Sequence, residues 1–311
     1  MIRSCLLLAA ALSANPAFAQ TTQTTANADV VSVPAATEQQ AQIVPQAETT
    51  TVQQGPQWLA EVTSGYAKRD AGPSGLFAAT ALNRRFGRMY GRAALTAYRS
   101  TIEQIDTALP STYLVGSVGT GGNFNNWVFD VWASWGWQHY GQIQTSQGPR
   151  RSNSTGSPYV SFGFDAGKIL PLGKGFYLTP TVGGTYAHDR LLRPSPNVEF
   201  WPDYESREIA WTGMASMRLD KAFGSNRQHY VGVGASWRVT NNGLSVLVVP
   251  PMDSEDQSFS TRHYADGWGE ITGNAGFRLT PSLRLELTAT RSMKALAGNA
   301  TTASGGFRLA F

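Results

Sequence analysis

From Trp58 onward, apolar and polar positions alternate with a period of two. That period places successive side chains on opposite faces of an extended strand. Trp127, Phe129, Val131, Ala133, Trp135 and Trp137 share one face, and Asp130, Ser134 and Gln138 share the other. Val160, Phe162 and Phe164 oppose Ser161, Gly163 and Asp165. Val231, Val233, Ala235, Trp237 and Val239 oppose Gly232, Gly234, Ser236 and Arg238, and Leu283, Leu285 and Leu287 oppose Arg284, Glu286 and Thr288. The pattern predicts twelve strands, over 58–68, 75–84, 88–99, 112–120, 126–139, 158–169, 175–187, 207–219, 229–240, 264–279, 282–293 and 301–311.

The connectors alternate in length. Arg84–Arg88, Gly121–Asn125, Pro171–Lys174 and Thr280–Pro281 are short, and Asp220–Gln228 is intermediate. Ser100–Ser111, Gly141–Ser157, His188–Ser206 and Asn241–His263 are long. Short turns on one side and long loops on the other are the pattern of a transmembrane barrel. An even strand number puts both ends of the chain on the short-turn, periplasmic side. The last strand reads the same way. Phe307, Leu309 and Phe311 line an apolar face that runs to the final residue, as an outer-membrane assembly signal would. Alternation alone also fits a soluble secreted β-protein, with its apolar face packed on a core. Trp58, Trp127, Trp137, Tyr140, Tyr159, Tyr186, Tyr230 and Trp268, all near strand ends, favour a membrane with aromatic girdles. The expected fold is therefore all-β, a twelve-stranded antiparallel transmembrane β-barrel with short periplasmic turns and longer extracellular loops.

Composition narrows the alternatives. Only 15% of residues are charged, below the quarter usual for soluble domains. No apolar run after the N-terminus is long enough for a transmembrane helix. The net charge of +4 is small and scattered, which gives no footing for nucleic acid. Residues 1–19 combine Arg3, the apolar stretch from Cys5 and the Ala17-Phe18-Ala19 pattern, so a signal peptide cleaved after Ala19 is expected. The single cysteine, Cys5, falls inside it, and thiolate metal sites and disulfides are not expected. Residues 20–57 are rich in Thr, Gln, Ala and Val, with Pro34, Pro45 and Pro56, and read as a disordered periplasmic tail or linker. Threading through the lumen is the alternative, since the segment extended reaches roughly 120 Å. Residues 58–311 form the barrel domain.

Two stretches resemble the β-barrel translocator domain of autotransporters. One is Tyr159–Tyr186, a strand, a short Gly turn and an aromatic-x-Leu-x-Pro strand. The other runs from Asp266-Gly-Trp-Gly-Glu270 through Gly276–Leu285 to Gly305-Gly-Phe-Arg-Leu-Ala-Phe311, and is similar to the family's closing strands. The resemblance covers about 155–311, and reaches 58–154 only through strand pattern. It implies a twelve-stranded barrel that assembles in the outer membrane and helps a passenger domain to the surface. The sequence departs from the family in showing no passenger and no helix ahead of the first strand, so a stand-alone relative or a narrow channel is expected.

Candidate chemistry lies on the predicted lumen face. It carries Arg92, Arg218, Arg238, Arg278, Arg284 and Arg308 against Glu61, Asp130, Asp165, Glu270 and Glu286. Such charges are costly in a barrel interior unless paired or wet. They read as a bracing salt-bridge network or as a pore lining. Glu286 is placed to pair with Arg278 or Arg308. A membrane-embedded hydrolase is the alternative, built on rim residues His188 and Asp189 near Asp203 and Glu205. No His-x-Ser pair supports a phospholipase arrangement, and no cofactor or metal is expected. The expected partners are outer-membrane lipid, the barrel-assembly machinery and periplasmic chaperones, with a monomer favoured.

Overall fold

Every strand pairs antiparallel with its neighbours, and the first pairs with the last, so the sheet closes on itself. The structure is a computed structural model and describes residues 57–70, 74–104, 107–195, 202–248 and 259–311. The predicted leader, and the tail up to 56, lie outside the described residues.

The strands are β1 (Trp58–Arg69), β2 (Ser74–Phe86), β3 (Met89–Gln104), β4 (Thr107–Phe124), β5 (Trp127–Tyr140), β6 (Ile143–Thr145), β7 (Gly148–Arg150), β8 (Gly156–Lys168), β9 (Leu170–Gly173), β10 (Phe176–Arg193), β11 (Tyr204–Phe223), β12 (His229–Val248), β13 (Ser260–Arg278), β14 (Leu283–Met293) and β15 (Ala300–Ala310). The β6–β7 hairpin lies in the β5–β8 loop, and β9 continues β8 against β10. The remaining strands make a closed, twelve-stranded wall. Its seam runs from Leu59↔Ala310 to Arg69↔Ala300. Closure leaves no edge of this twelve-stranded wall unpaired among the described residues, the condition for a sheet in lipid.

The two faces follow the sequence alternation. Val62, Leu82, Val131, Phe164, Val233, Ile271, Phe307 and Leu309 point outward and are exposed. Thr63, Asp130, Ser134, Ser161, Asp220 and Asn274 point inward and are buried. On β11 the outward positions are apolar from Trp211 to Leu219, then Lys221 and Phe223. At about 3.3 Å per residue and about 40° of tilt, Trp211 to Phe223 spans roughly 30 Å, a bilayer's apolar thickness. The turn end carries a girdle of Trp58, Phe86, Trp127, Phe176, Phe223 and Phe311. Cations stack on it: Arg84 lies 5.1 Å from the Trp58 ring and 5.0 Å from Phe86, Lys168 4.9 Å from Trp127, and Lys221 4.0 Å from Phe176.

The turns are tight where the sequence permits. Asn125 and Asn126 both take positive φ, 52° and 66°, in the two-residue turn joining β4 to β5. This suits the right-handed twist of the flanking strands and asparagine's tolerance of that region.

Two expectations are corrected. The long connectors are shorter than they read. β3 and β4 stay paired to Gln104↔Thr107, so Ser100–Ser111 is mostly strand. The β10–β11 ladder likewise reaches Arg193↔Tyr204, and β12–β13 reaches Val248↔Ser260. These extensions rise above the apolar band. Without lipid on the outside the apolar period fades, while the backbone ladder persists. The aromatic girdle is also smaller than expected. Tyr140, Tyr159, Tyr230 and Trp268 sit at inward positions; Tyr230 is only 4% exposed, and Trp268 Nε1 donates to Glu270 Oε1 at 2.9 Å.

Candidate functional site

Among the described residues, charged side chains from many strands converge in the interior, which has two tiers. Toward the turn end, Arg308 on β15 sits between Glu61 on β1 and Glu286 on β14. Its Nε lies 2.8 Å from Glu61 and its Nη1 lies 3.0 Å from Glu286. One guanidinium thus ties the closing seam to the neighbouring strand. Arg92 on β3 reaches Asp130 on β5, with Nη2 at 3.1 Å from the carboxylate. It must pass over β4 to do so, and β4 offers glycine there: a Cβ on Gly119 would stand 3.4 Å from Arg92 Nη2, and one on Gly121 only 2.5 Å from Tyr90 Oη. Arg238 Nε pairs with Glu270 at 2.9 Å. Arg218 Nε pairs with Asp220 at 2.8 Å.

The other candidates are placed differently. Asp165 stands directly across from Asp130 in the register and makes no ion pair among the described residues. Arg284 lies 5.8 Å from the Tyr230 ring, and its Nη2 donates to the Gln228 carbonyl at 3.5 Å. Arg278 is exposed at the periplasmic mouth, where it donates to the carbonyls of Thr280 and Pro281 at 3.2 and 2.7 Å. Phe307, Leu309 and Phe311 face outward on the closing strand, where Phe311 and Trp58 exchange two backbone hydrogen bonds of 3.0 Å.

The second tier lies above the apolar band. Arg193 on β10 is 1% exposed. Its Nη2 donates to Glu208 Oε1 at 3.2 Å and to Ser245 Oγ at 2.8 Å, and its Nε donates to Ser206 Oγ at 3.1 Å. Glu208 also accepts from Ser206, Ser245 and Asn242, and meets His263 Nε2 at 3.0 Å. The node joins β10, β11, β12 and β13. A bulge between Thr240 and Leu244 shifts the β12 register and turns Ser245 inward.

Over this tier lies the β6–β7 hairpin. Its Ile143 is fully buried with Leu109, Leu191 and Leu192, and Tyr140 packs against them. Leu109 and Leu191 have the inward parity of Tyr113 and Asp189, Leu192 has the opposite one, and β6 pairs with the end of β4 through Thr107↔Thr145 and Ala108↔Gln144, so the hairpin packs on the loop end of β4 and β10. Arg150 then fastens its far end. The guanidinium grips Asp203 in bidentate fashion at 2.8 and 2.6 Å and also donates to the Ser195 carbonyl at 2.7 Å. Burial pushes the Asp203 carboxyl up, but hydrogen bonds from Arg150 and the Ser195 amide, with the Arg150 charge, hold it below its usual range.

The rim pair His188 and Asp189 does not assemble. Adjacent residues of one strand point to opposite sides of the wall. Asp189 is inward and 7% exposed, whereas His188 faces outside and accepts a hydrogen bond from Arg207 Nε at 3.1 Å. Among the described residues no three His, Cys, Asp or Glu side chains converge as a metal site.

Sequence reasoning missed Asp220, Arg193, Glu208 and His263. Glu208 was within reach, because it shares strand and parity with Arg218. Asp220 falls one residue past the predicted strand end. Arg193 and His263 lie in segments read as loops.

No family model matches the chain, and no curated protein matches it. Solved structures do share its fold. The translocator domain of autotransporter NalP from Neisseria meningitidis is 12% identical, with 86% of this chain and 91% of that one covered at a TM-score of 0.62. The β domain of the Bordetella autotransporter BrkA is 11% identical, covering 83% and 100% at 0.53. The transport unit of autotransporter AIDA-I from Escherichia coli is 10% identical, covering 85% and 93% at 0.51. The fold is that of outer-membrane translocator barrels.

Proposed function

We propose that this chain is a translocator-type outer-membrane barrel that serves as a structural or narrow-pore protein and rests with its extracellular mouth shut. The observation that carries the reading is Ile143, buried with Leu109, Leu191 and Leu192 at the loop end, above an interior whose arginines are largely held by carboxylates. A wide aqueous pore would leave those charges hydrated instead of paired across strands. The inverse arrangement, a hydrolase at the rim, lacks its dyad because His188 and Asp189 face opposite ways. In this reading the protein works as a monomer, contacts outer-membrane lipid along its outward face, and is delivered by periplasmic chaperones. The outward row Phe307, Leu309 and Phe311 is then the surface that the barrel-assembly machinery reads.

Planar-bilayer recording on the full chain tests this. Little or no conductance is expected, and deletion of residues 142–151 should raise it while heat-modifiable gel mobility is kept. A large, steady conductance that the deletion leaves unchanged would overturn the closed-mouth reading.

A further inference from the structure

The outward wall is not uniformly convex. Between β8, β10, β11 and β12 it carries a groove of about 580 Å³, walled by Phe162, Phe164, Tyr186, Trp211 and Val239. That volume is typical of a ligand site. Its floor is Gly184 paired directly with Gly213, two outward positions without side chains. The aromatic rings at its upper end touch one another: Phe162 and Tyr186 are 4.9 Å apart and Tyr186 and Trp211 4.7 Å. Asn241 Oδ1 accepts the Trp211 backbone N–H at 2.7 Å and fixes that strand.

Immediately above, still on the outside, Arg190 and Arg207 stand opposite each other in the register. Like charges directly across a strand pair are unfavourable unless an anion joins them. Neither arginine has a carboxylate partner among the described residues. Glu205, the outward acid two positions beyond Arg207, makes no ion pair among them either. Arg207 is oriented instead by its hydrogen bond to His188. Arg190 lies four residues from Tyr186, about 13 Å along the strand. An arginine pair over an apolar, lipid-facing trough matches an amphiphile with a phosphate head and acyl chains.

We propose that this groove and the Arg190–Arg207 pair bind a phosphorylated, multiply acylated lipid of the outer leaflet. The chains lie on the Gly184–Gly213 floor between the aromatic walls. The phosphate takes charge-assisted hydrogen bonds from the two guanidiniums, the geometry that favours arginine for this group. The glycines matter because any larger side chain would fill the trough. A Cβ on Gly213 meets nothing nearer than Val239 at 3.4 Å, so the position accepts a side chain that occupies the groove without disturbing the wall.

The test is native mass spectrometry of the full chain in detergent micelles, titrated with diphosphorylated lipid A and separately with its dephosphorylated form. One bound phosphorylated lipid is expected, with the dephosphorylated form at least tenfold weaker. The double variant Arg190→Gln/Arg207→Gln should lose at least tenfold for the phosphorylated lipid alone. Gly213→Leu should weaken both forms, with heat-modifiable mobility confirming a folded barrel. Equal retention of the two lipids by the wild type would overturn the proposal, as would full retention by the arginine variant. Displacement of the lipid by inorganic phosphate alone would also overturn it, by showing a site for a free anion.

Discussion

The two ends of the barrel solve the same closure problem with opposite materials. At the turn end, connections are tight, aromatic rings and stacked cations face outward, and the interior is held by half-buried ion pairs such as Glu61–Arg308–Glu286. At the loop end, strands outrun the apolar band, the outside turns polar, and the inside becomes the better-packed region, with Arg193 and Ile143 both fully covered. The difference follows from the solvent. Lipid on the outside forces apolar side chains outward and leaves the polar ones to pair within. Above the band, water lies outside and the loops supply their own small core. The loop end therefore behaves as a soluble fold built on top of a membrane one.

Breaking that contrast should have its largest effect at Arg193. Removing it strands Glu208 in a covered site, so Arg193→Ala should lower stability by about 3–5 kcal/mol, read by urea unfolding in detergent. Replacing both partners, as Arg193→Met with Glu208→Gln, should recover most of that loss, because no buried charge is left alone. At the turn end, Arg308→Ala should cost less, about 2 kcal/mol, since Arg308, Glu61 and Glu286 keep 16–19% of their side-chain exposure where the Arg193 side chain keeps none. A near-equal cost for the two single variants would erase the distinction between the ends. Arg84→Ala, which removes a cation between Trp58 and Phe86, should cost only about 0.5–1 kcal/mol by the same measurement.

The smallest effect is set by pH. Asp203 has a depressed pKa in the folded chain, so the stability that it contributes is full above its unfolded value of about 4 and is lost as pH falls through the folded one. Hydrogen-exchange protection of the Ser195 amide, which donates to Asp203 at 2.9 Å, should fall below about pH 4 and be flat above it. Arg150→Ala should remove the pH step.

The sequence revealed the lipid-facing half of this molecule far better than the rest, for a physical reason. Contact with lipid imposes a strict apolar period, so Trp127–Trp137 and Val231–Val239 announce both strand and face. Lumen parity then identified Glu61, Arg308, Glu286, Arg92 and Asp130 as inward candidates, and cross-strand register decides which of them meet. Nothing in one strand could have told that Arg92 crosses β4 over Gly119. Above the band, the period is gone. Arg193, Ser245 and His263 belong to paired strands whose residues are polar on both sides, and they read as loop. The inward Tyr159, Tyr230 and Trp268 mark the reverse error, since an aromatic near a strand end suits a membrane interface and a packed lumen equally well.

Thiol accessibility tests the closed mouth most directly. In a Cys5→Ser background, Gln138→Cys places a thiol at a fully covered inward position beneath the hairpin. A membrane-impermeant maleimide added from outside should fail to label it on intact cells, and should label it rapidly once Ile143→Asp disrupts the cap. Rapid labelling of Gln138→Cys with Ile143 in place would contradict the account.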